Sequence, residues 1–148
     1  MALDFEKYAI KGNEFVSLLK ESLGTEDEGH AARILRSTFR VFRNHFTFEE
    51  SLQLLSQLPM AIKSVYVDGW KKGEHKRLHN ADDFLLKIIQ MDGDTAWRDF
   101  NDKEDVLDSV RAVINTMRVY VSTQEMDQAL ATLPRQIREL FEPSGPPL

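Results

Sequence analysis

The sequence predicts an all-α fold: two similar helical repeats in one compact helical bundle, each with a Leu-Pro elbow between helices. Three observations predict it. Apolar residues recur at steps of three and four along most of the chain, the period of an amphipathic helix. Capping-box signals, an Ser, Thr or Asn with Glu three residues later, precede the apolar runs at Thr25, Thr47, Asn101 and Ser122. The elbow Leu58-Pro59 returns as Leu133-Pro134.

Residues 3–23 read as a helix, with a break expected near Gly12-Asn13. Phe15, Leu18, Leu19 and Leu23 form its apolar stripe, and Gly24 ends it as a C-terminal cap. Thr25, with Glu28 completing its capping box, should start a longer helix running to about His45. On a wheel of about 100° per residue, Ile34, Leu35, Phe39 and Phe42 share one side of that helix. Arg33, Arg36, Arg40 and Arg43 share the other, a stripe of arginines on the outer face.

Thr47 and Glu50 open the next helix, which should end near Gln57. Pro59 lacks an N–H and cannot continue a helix, but it suits the first position of a new one. Leu58, just before it, is pushed into extended backbone. Ile62, Val65 and Tyr66 then mark an apolar face to about Val67. Residues 68–80 read as a charged linker containing Trp70, Lys71, Lys72, His75 and His79, with two glycines that argue against a buried element.

Asn80 should cap a helix from Ala81 to about Met91, built on Phe84, Leu85, Ile88 and Ile89. Residues 92–101 read as an acidic connection holding Trp97 and Phe100. Asn101 with Glu104 starts a long helix to about Tyr120, lined by Val106, Val110, Val113, Ile114, Met117 and Val121. Its β-branched residues could suit a strand, but their period is three to four, not two. Ser122 with Glu125 opens the second elbow, which ends near Phe141. The tail, 142–148, should be disordered.

A shift of 75 residues overlays the two elbows. Between residues 32–66 and 107–141, 8 of 35 positions are identical, and both capping boxes fall in register. Such self-similarity points to a duplicated unit. The expected organisation is a first repeat, 1–67, the linker, 68–80, a second repeat, 81–141, and the tail, all within one structural domain.

Composition narrows the chemistry. The chain has no cysteine, which removes disulfides, thiolate metal sites and cysteine nucleophiles. No apolar run approaches the roughly 20 residues that span a bilayer. The N-terminus lacks the basic start and apolar core of a secretion signal, so the expected location is cytoplasmic. Net charge is −5, from 24 acidic and 19 basic residues, which argues against whole-surface affinity for nucleic acid.

His75 and His79 stand four apart and could share a metal on a helix. The glycine and charges around them favour a solvated linker, so no metal is expected. Asp92-Gly-Asp94 fails as a calcium loop, because Ala96, Trp97 and Lys103 occupy its fifth, sixth and twelfth positions. No glycine loop for phosphate and no nucleophile elbow is present. The paired carboxylates fall mostly in first helical turns, where the helix dipole accounts for them. No cofactor is expected.

Three segments carry a family resemblance: Leu58-Pro-Met-Ala-Ile-Lys-Ser-Val-Tyr-Val-Asp-Gly-Trp70, Arg77-Leu-His-Asn-Ala-Asp-Asp-Phe84 and Leu133-Pro-Arg-Gln-Ile-Arg-Glu-Leu-Phe141. With them the chain resembles the uncharacterised bacterial family termed domain of unknown function 2267, over nearly its whole length apart from the tail. The resemblance implies a duplicated all-helical domain in a bacterial cytoplasm and carries over no catalytic residue. The 92–101 connection departs from the pattern, being longer and more acidic than the matching turn in the first half.

The leading expectation is a non-enzymatic interaction or regulatory module with a protein partner. Its candidate surface is the arginine stripe together with Trp70, Lys71 and Lys72. One rival is a nucleic-acid or anionic-ligand binder using the same basic patches. The other is an enzyme with a site between the two halves.

Overall fold

A computed structural model gives the fold and describes residues 3–71 and 77–142. The described residues are helical, with no strand among them. The helices are α1 (Glu6–Leu23), α2 (Glu28–His45), α3 (Phe48–Gln57), α4 (Met60–Val67), α5 (Ala81–Asp92), α6 (Ala96–Asp99), α7 (Lys103–Tyr120), α8 (Thr123–Ala131) and α9 (Arg135–Glu139). The expected 142–148 tail lies outside the described residues, apart from Glu142.

The helices of the two halves interleave. α1 packs on α7 and α5 packs on α2, while α3 meets α8 and α2 meets α7. One continuous core results. Phe15 and Leu19 from α1, Phe39 and Phe42 from α2, Phe84 and Ile88 from α5, and Val110 and Met117 from α7 are all buried in it. Val106, Val110, Val113 and Ile114 of α7 face this core with helical spacing, while Val119 is exposed.

α1 runs unbroken through Gly12-Asn13, contrary to expectation. Gly12 is a contact point instead of a break. A Cβ there would lie 2.7 Å from Cβ of Ala61, so the glycine lets α4 approach α1. The end is as expected: Gly24 is left-handed and Thr25 N–H donates to Lys20 O at 3.0 Å, the bonding of a Schellman cap.

Two caps differ from the sequence reading. Asp27, not Thr25, caps α2, with its carboxylate accepting from the N–H groups of Gly29 and His30. The Thr25 hydroxyl accepts from Asp27 N–H and so fixes the turn one step earlier. Asp102, not Asn101, caps α7 by accepting from Asp105 N–H, while Asp105 reaches back to Asn101 N–H. In both places a carboxylate, whose charge also suits the helix dipole, takes the capping role.

The elbow caps match each other closely. Thr47 accepts from Glu50 N–H and Ser122 accepts from Glu125 N–H, both at 3.2 Å. Pro59 (φ −56°, ψ 146°) and Pro134 (φ −54°, ψ 147°) are extended, so each precedes its helix as the N-cap instead of occupying the first helical position. Leu58 and Leu133 are buried.

The described ends of the 68–80 segment are tied to the core. His45 is buried, with Nδ1 on Val41 O at 2.7 Å and Nε2 accepting from Leu78 N–H at 2.9 Å. Arg77 donates to the carbonyls of His45 and Thr132. The 92–101 connection is also more structured than the acidic loop expected. It forms a 3-10 turn at Gly93–Thr95 and then α6, which leaves Trp97 80% exposed and turns Asp99 inward.

Candidate anion-accepting surface

The arginine stripe predicted on α2 is split by its surroundings. Arg36 is exposed and Arg40 half-buried, and among the described residues neither has a hydrogen-bond or ion-pair partner. Arg33 at one end and Arg43 at the other hold structural positions. Arg33 donates from Nε and Nη2 to the two carboxylate oxygens of Asp99, each at 2.8 Å. Arg43 Nη1 donates to the carbonyls of Tyr66 (2.9 Å) and Asp68 (2.6 Å) at the end of α4.

The Arg43 bonds bring the two predicted basic patches together. After α4 the chain turns at Gly69, whose φ of 69° is a left-handed conformation suited to glycine. Trp70 N–H bonds back to Val67 O at 3.0 Å. The turn lays the Trp70 indole against Phe48, with ring centroids 5.5 Å apart, and edge-on to Tyr66 at 5.7 Å. Tyr66 is itself fixed, buried with its hydroxyl 2.6 Å from Ser51 Oγ. Burial is the main cause that pushes the Tyr66 phenol well above its ordinary value, so it stays neutral.

A cavity of about 330 Å³ opens there, lined by Arg40, Arg43, Asn44, Asp68, Trp70, Lys71 and Met91. Its ionised side chains are three cations against one carboxylate. Burial first, and the neighbouring Arg40 charge second, push Arg43 below the usual guanidinium value. Lys71, like Arg40, has no ion-pair partner among the described residues. The arrangement offers two uncommitted cations and one anchored guanidinium beside an aromatic wall. That set can receive an anionic group attached to an apolar one.

The other predicted residues lie elsewhere. Arg33 and Arg36 do not line this cavity. Lys72 and His75 fall outside the described residues, and His79 is exposed. Leu58, Pro59, Leu133 and Pro134 form the two elbows and line none of the cavities described. Among the described residues no cluster of three or more metal-ligating side chains occurs, and no helix is long and apolar enough to cross a membrane.

The sequence reading missed Asn44, Asp68 and Met91 at the cavity. Asn44 and Asp68 adjoin singled-out residues, but Met91 arrives from the end of α5 and carries no local signal. It also missed a polar cluster at the opposite end of α2. There Asp99 accepts from Arg33 and lies 2.9 Å from His30 Nδ1, and its side chain is 1% exposed. Asp92 sits beside it, and among the described residues no other group donates to one of its buried carboxylate oxygens. Burial, a hydrogen bond shared with Asp99 and the Asp99 charge together raise Asp92 to about 7. Burial also pushes Asp99 up, but the bonds from Arg33, then Asp92 and His30, outweigh it and hold Asp99 well below the usual carboxylate range. Two such carboxyls can bond each other only while one keeps a proton.

No curated protein matches the chain. The family described as "Uncharacterized conserved protein (DUF2267)" matches residues 12–140, from the buried glycine of α1 through the last residue of the second elbow helix and one beyond. The chain therefore belongs to this family of uncharacterized conserved proteins, DUF2267.

Proposed function

We propose that this protein is a non-enzymatic interaction module of the bacterial cytoplasm, and that it engages an acidic segment of a protein partner at the Arg40–Arg43–Lys71–Trp70 cavity. The observation that carries the reading is the convergence of two sequence-distant basic patches on one aromatic-walled cavity, where neither Arg40 nor Lys71 has an ion-pair partner among the described residues. Cations left without partners at a pre-formed site favour charge-complementary association. The cavity's three cations form a patch too small to track a nucleic-acid backbone, and the chain around it is net acidic.

We also infer that the two halves are copies of one helical unit. The register of 75 residues, the paired caps at Thr47 and Ser122, and the near-equal backbone angles of Pro59 and Pro134 support this. So does the reciprocal packing of α1 on α7 and α5 on α2. On this reading the module is a scaffold whose surfaces, not a catalytic centre, do the work.

The test is a fluorescence titration with Trp97→Phe as background, which leaves Trp70 as the only tryptophan. A ten-residue peptide of alternating Glu and Gly should shift Trp70 emission saturably. Arg40→Gln with Lys71→Gln should weaken it by about tenfold, roughly 1.4 kcal/mol. Unchanged affinity in that variant would remove the cavity from the account. Tight, saturable binding of a single-stranded oligonucleotide, lost in the same variant, would favour the nucleic-acid reading.

A further inference from the structure

A second cavity lies away from the site above, on the second half. It measures about 600 Å³ and sits between α7, α8 and the segment around α9. Its position corresponds to that of the first cavity: Arg118 and Asn115 line it where Arg43 and Arg40 line the other, 75 residues earlier. Its volume falls within the usual range for small-molecule sites, roughly 300–1,000 Å³.

Its chemistry differs from that of the first cavity. Ile114, Leu130 and Phe141 supply apolar surface, and Phe141 is held edge-on against Phe42 and Phe84. Arg111, Arg118 and Arg138 stand around this surface. Arg118 bonds Asp127 at 2.8 Å and Arg138 lies 3.3 Å from Glu142, and both carboxylates also line the cavity. Arg111 Nη2 donates to Leu140 O at 3.0 Å, and its nearest carboxylate, the exposed Asp108, is 3.8 Å away and outside the lining. Within the lining three guanidinium groups face two carboxylates, and Arg111 is paired only with Asp108, in a long and solvent-exposed ion pair outside the cavity that holds its charge weakly.

We propose that this cavity binds a small monocarboxylate with an apolar body, its charge set by the single excess cation and its body by the Ile114–Leu130–Phe141 surface. A dianion would exceed the lining's excess of one cation, and a neutral apolar molecule would leave Arg111 with only its long, exposed pair to Asp108. This inference does not depend on the peptide reading, because no residue lines both cavities.

The probe is 4-phenylbutyrate, with 4-phenylbutyramide as its uncharged counterpart, titrated into the full ¹⁵N-labelled chain and followed by amide chemical shifts. The acid should shift residues around Asn115 and Ala131 saturably and bind about tenfold more tightly than the amide, the worth of one charge-assisted bond. Ala131→Trp places an indole at an exposed position of the cavity wall, so the variant should fold, as checked by circular dichroism, and lose the binding. Arg40→Gln with Lys71→Gln should leave it intact. Equal affinity for acid and amide, retention in Ala131→Trp, or no saturable shift would each overturn the proposal.

Discussion

Arg33 and Asp99, 66 residues apart in sequence, are joined by two bonds of 2.8 Å. The pair clamps α6 to the first turns of α2, and His30 adds a third contact to the same carboxylate. It also removes Arg33 from the pool of surface cations that its helical position suggests.

Breaking this pair should cost more than breaking a surface ion pair. Arg33→Ala leaves a buried carboxylate facing only His30 and Asp92. A loss of about 2–4 kcal/mol is expected in denaturant unfolding. Arg36→Ala, one turn away and without a hydrogen-bond or ion-pair partner among the described residues, should change stability by less than about 0.5 kcal/mol. Equal effects of the two substitutions would contradict the clamp.

Asp92 gives the pH dependence a sign. Its folded value, about 7, lies above the unfolded value of 3.8, so the folded state holds the proton more tightly. The stability this adds is fully present below about pH 4 and is lost as pH rises to about 7. Asp99, held low, acts in the opposite sense, and its contribution is lost only in stronger acid. Asp92→Asn keeps a donor toward Asp99 at every pH. Its stability relative to wild type should therefore rise between pH 4 and 8, and a pH-independent difference would refute the shared proton.

At Gly12, substitution tests the close approach of α1 and α4. Alanine has the better helix propensity, by about 1 kcal/mol. Its Cβ, however, would meet Ala61 Cβ at 2.7 Å, and a methyl group has no flexible end to swing aside. Overpacking should prevail, for a net destabilisation of about 1–2 kcal/mol in thermal or chemical unfolding. Stabilisation by Gly12→Ala would mean the helices can separate at little cost.

The elbow leucines should behave alike. Leu58 and Leu133 are 4% and 3% exposed. Leu58→Ala and Leu133→Ala should each cost about 2–5 kcal/mol. A large cost at one elbow and almost none at the other would count against equivalent roles in a duplicated unit.

Much of this fold was legible in the sequence because its signals are local. The three-to-four spacing of Phe39, Phe42, Val110 and Met117, the prolines at 59 and 134, and the caps at Thr47 and Ser122 each act within a few residues. The caps at Asp27 and Asp102 were missed because two neighbouring side chains could fill the role, and spacing alone does not choose between them. Gly12 reads as a helix breaker until Ala61 is seen against it. The candidate surface was legible only as a list of cations with one tryptophan among them. What gives each arginine its role is a distant partner: Asp99 for Arg33, the carbonyls of Tyr66 and Asp68 for Arg43, and, among the described residues, no ion pair for Arg40. No spacing rule encodes those partners.

The most direct test of the proposed docking surface is a charge exchange at the first cavity. Arg40→Glu with Lys71→Glu turns its three cations and one carboxylate into one cation and three carboxylates, while leaving the anchored Arg43 and the Trp70 wall in place. In the Trp97→Phe background, affinities for a Glu-Gly and a Lys-Gly decapeptide are measured side by side through Trp70 fluorescence. The account predicts that the parent binds the acidic peptide and the exchanged variant prefers the basic one. An unchanged preference for the acidic peptide after the exchange, or no preference in the parent, would contradict it.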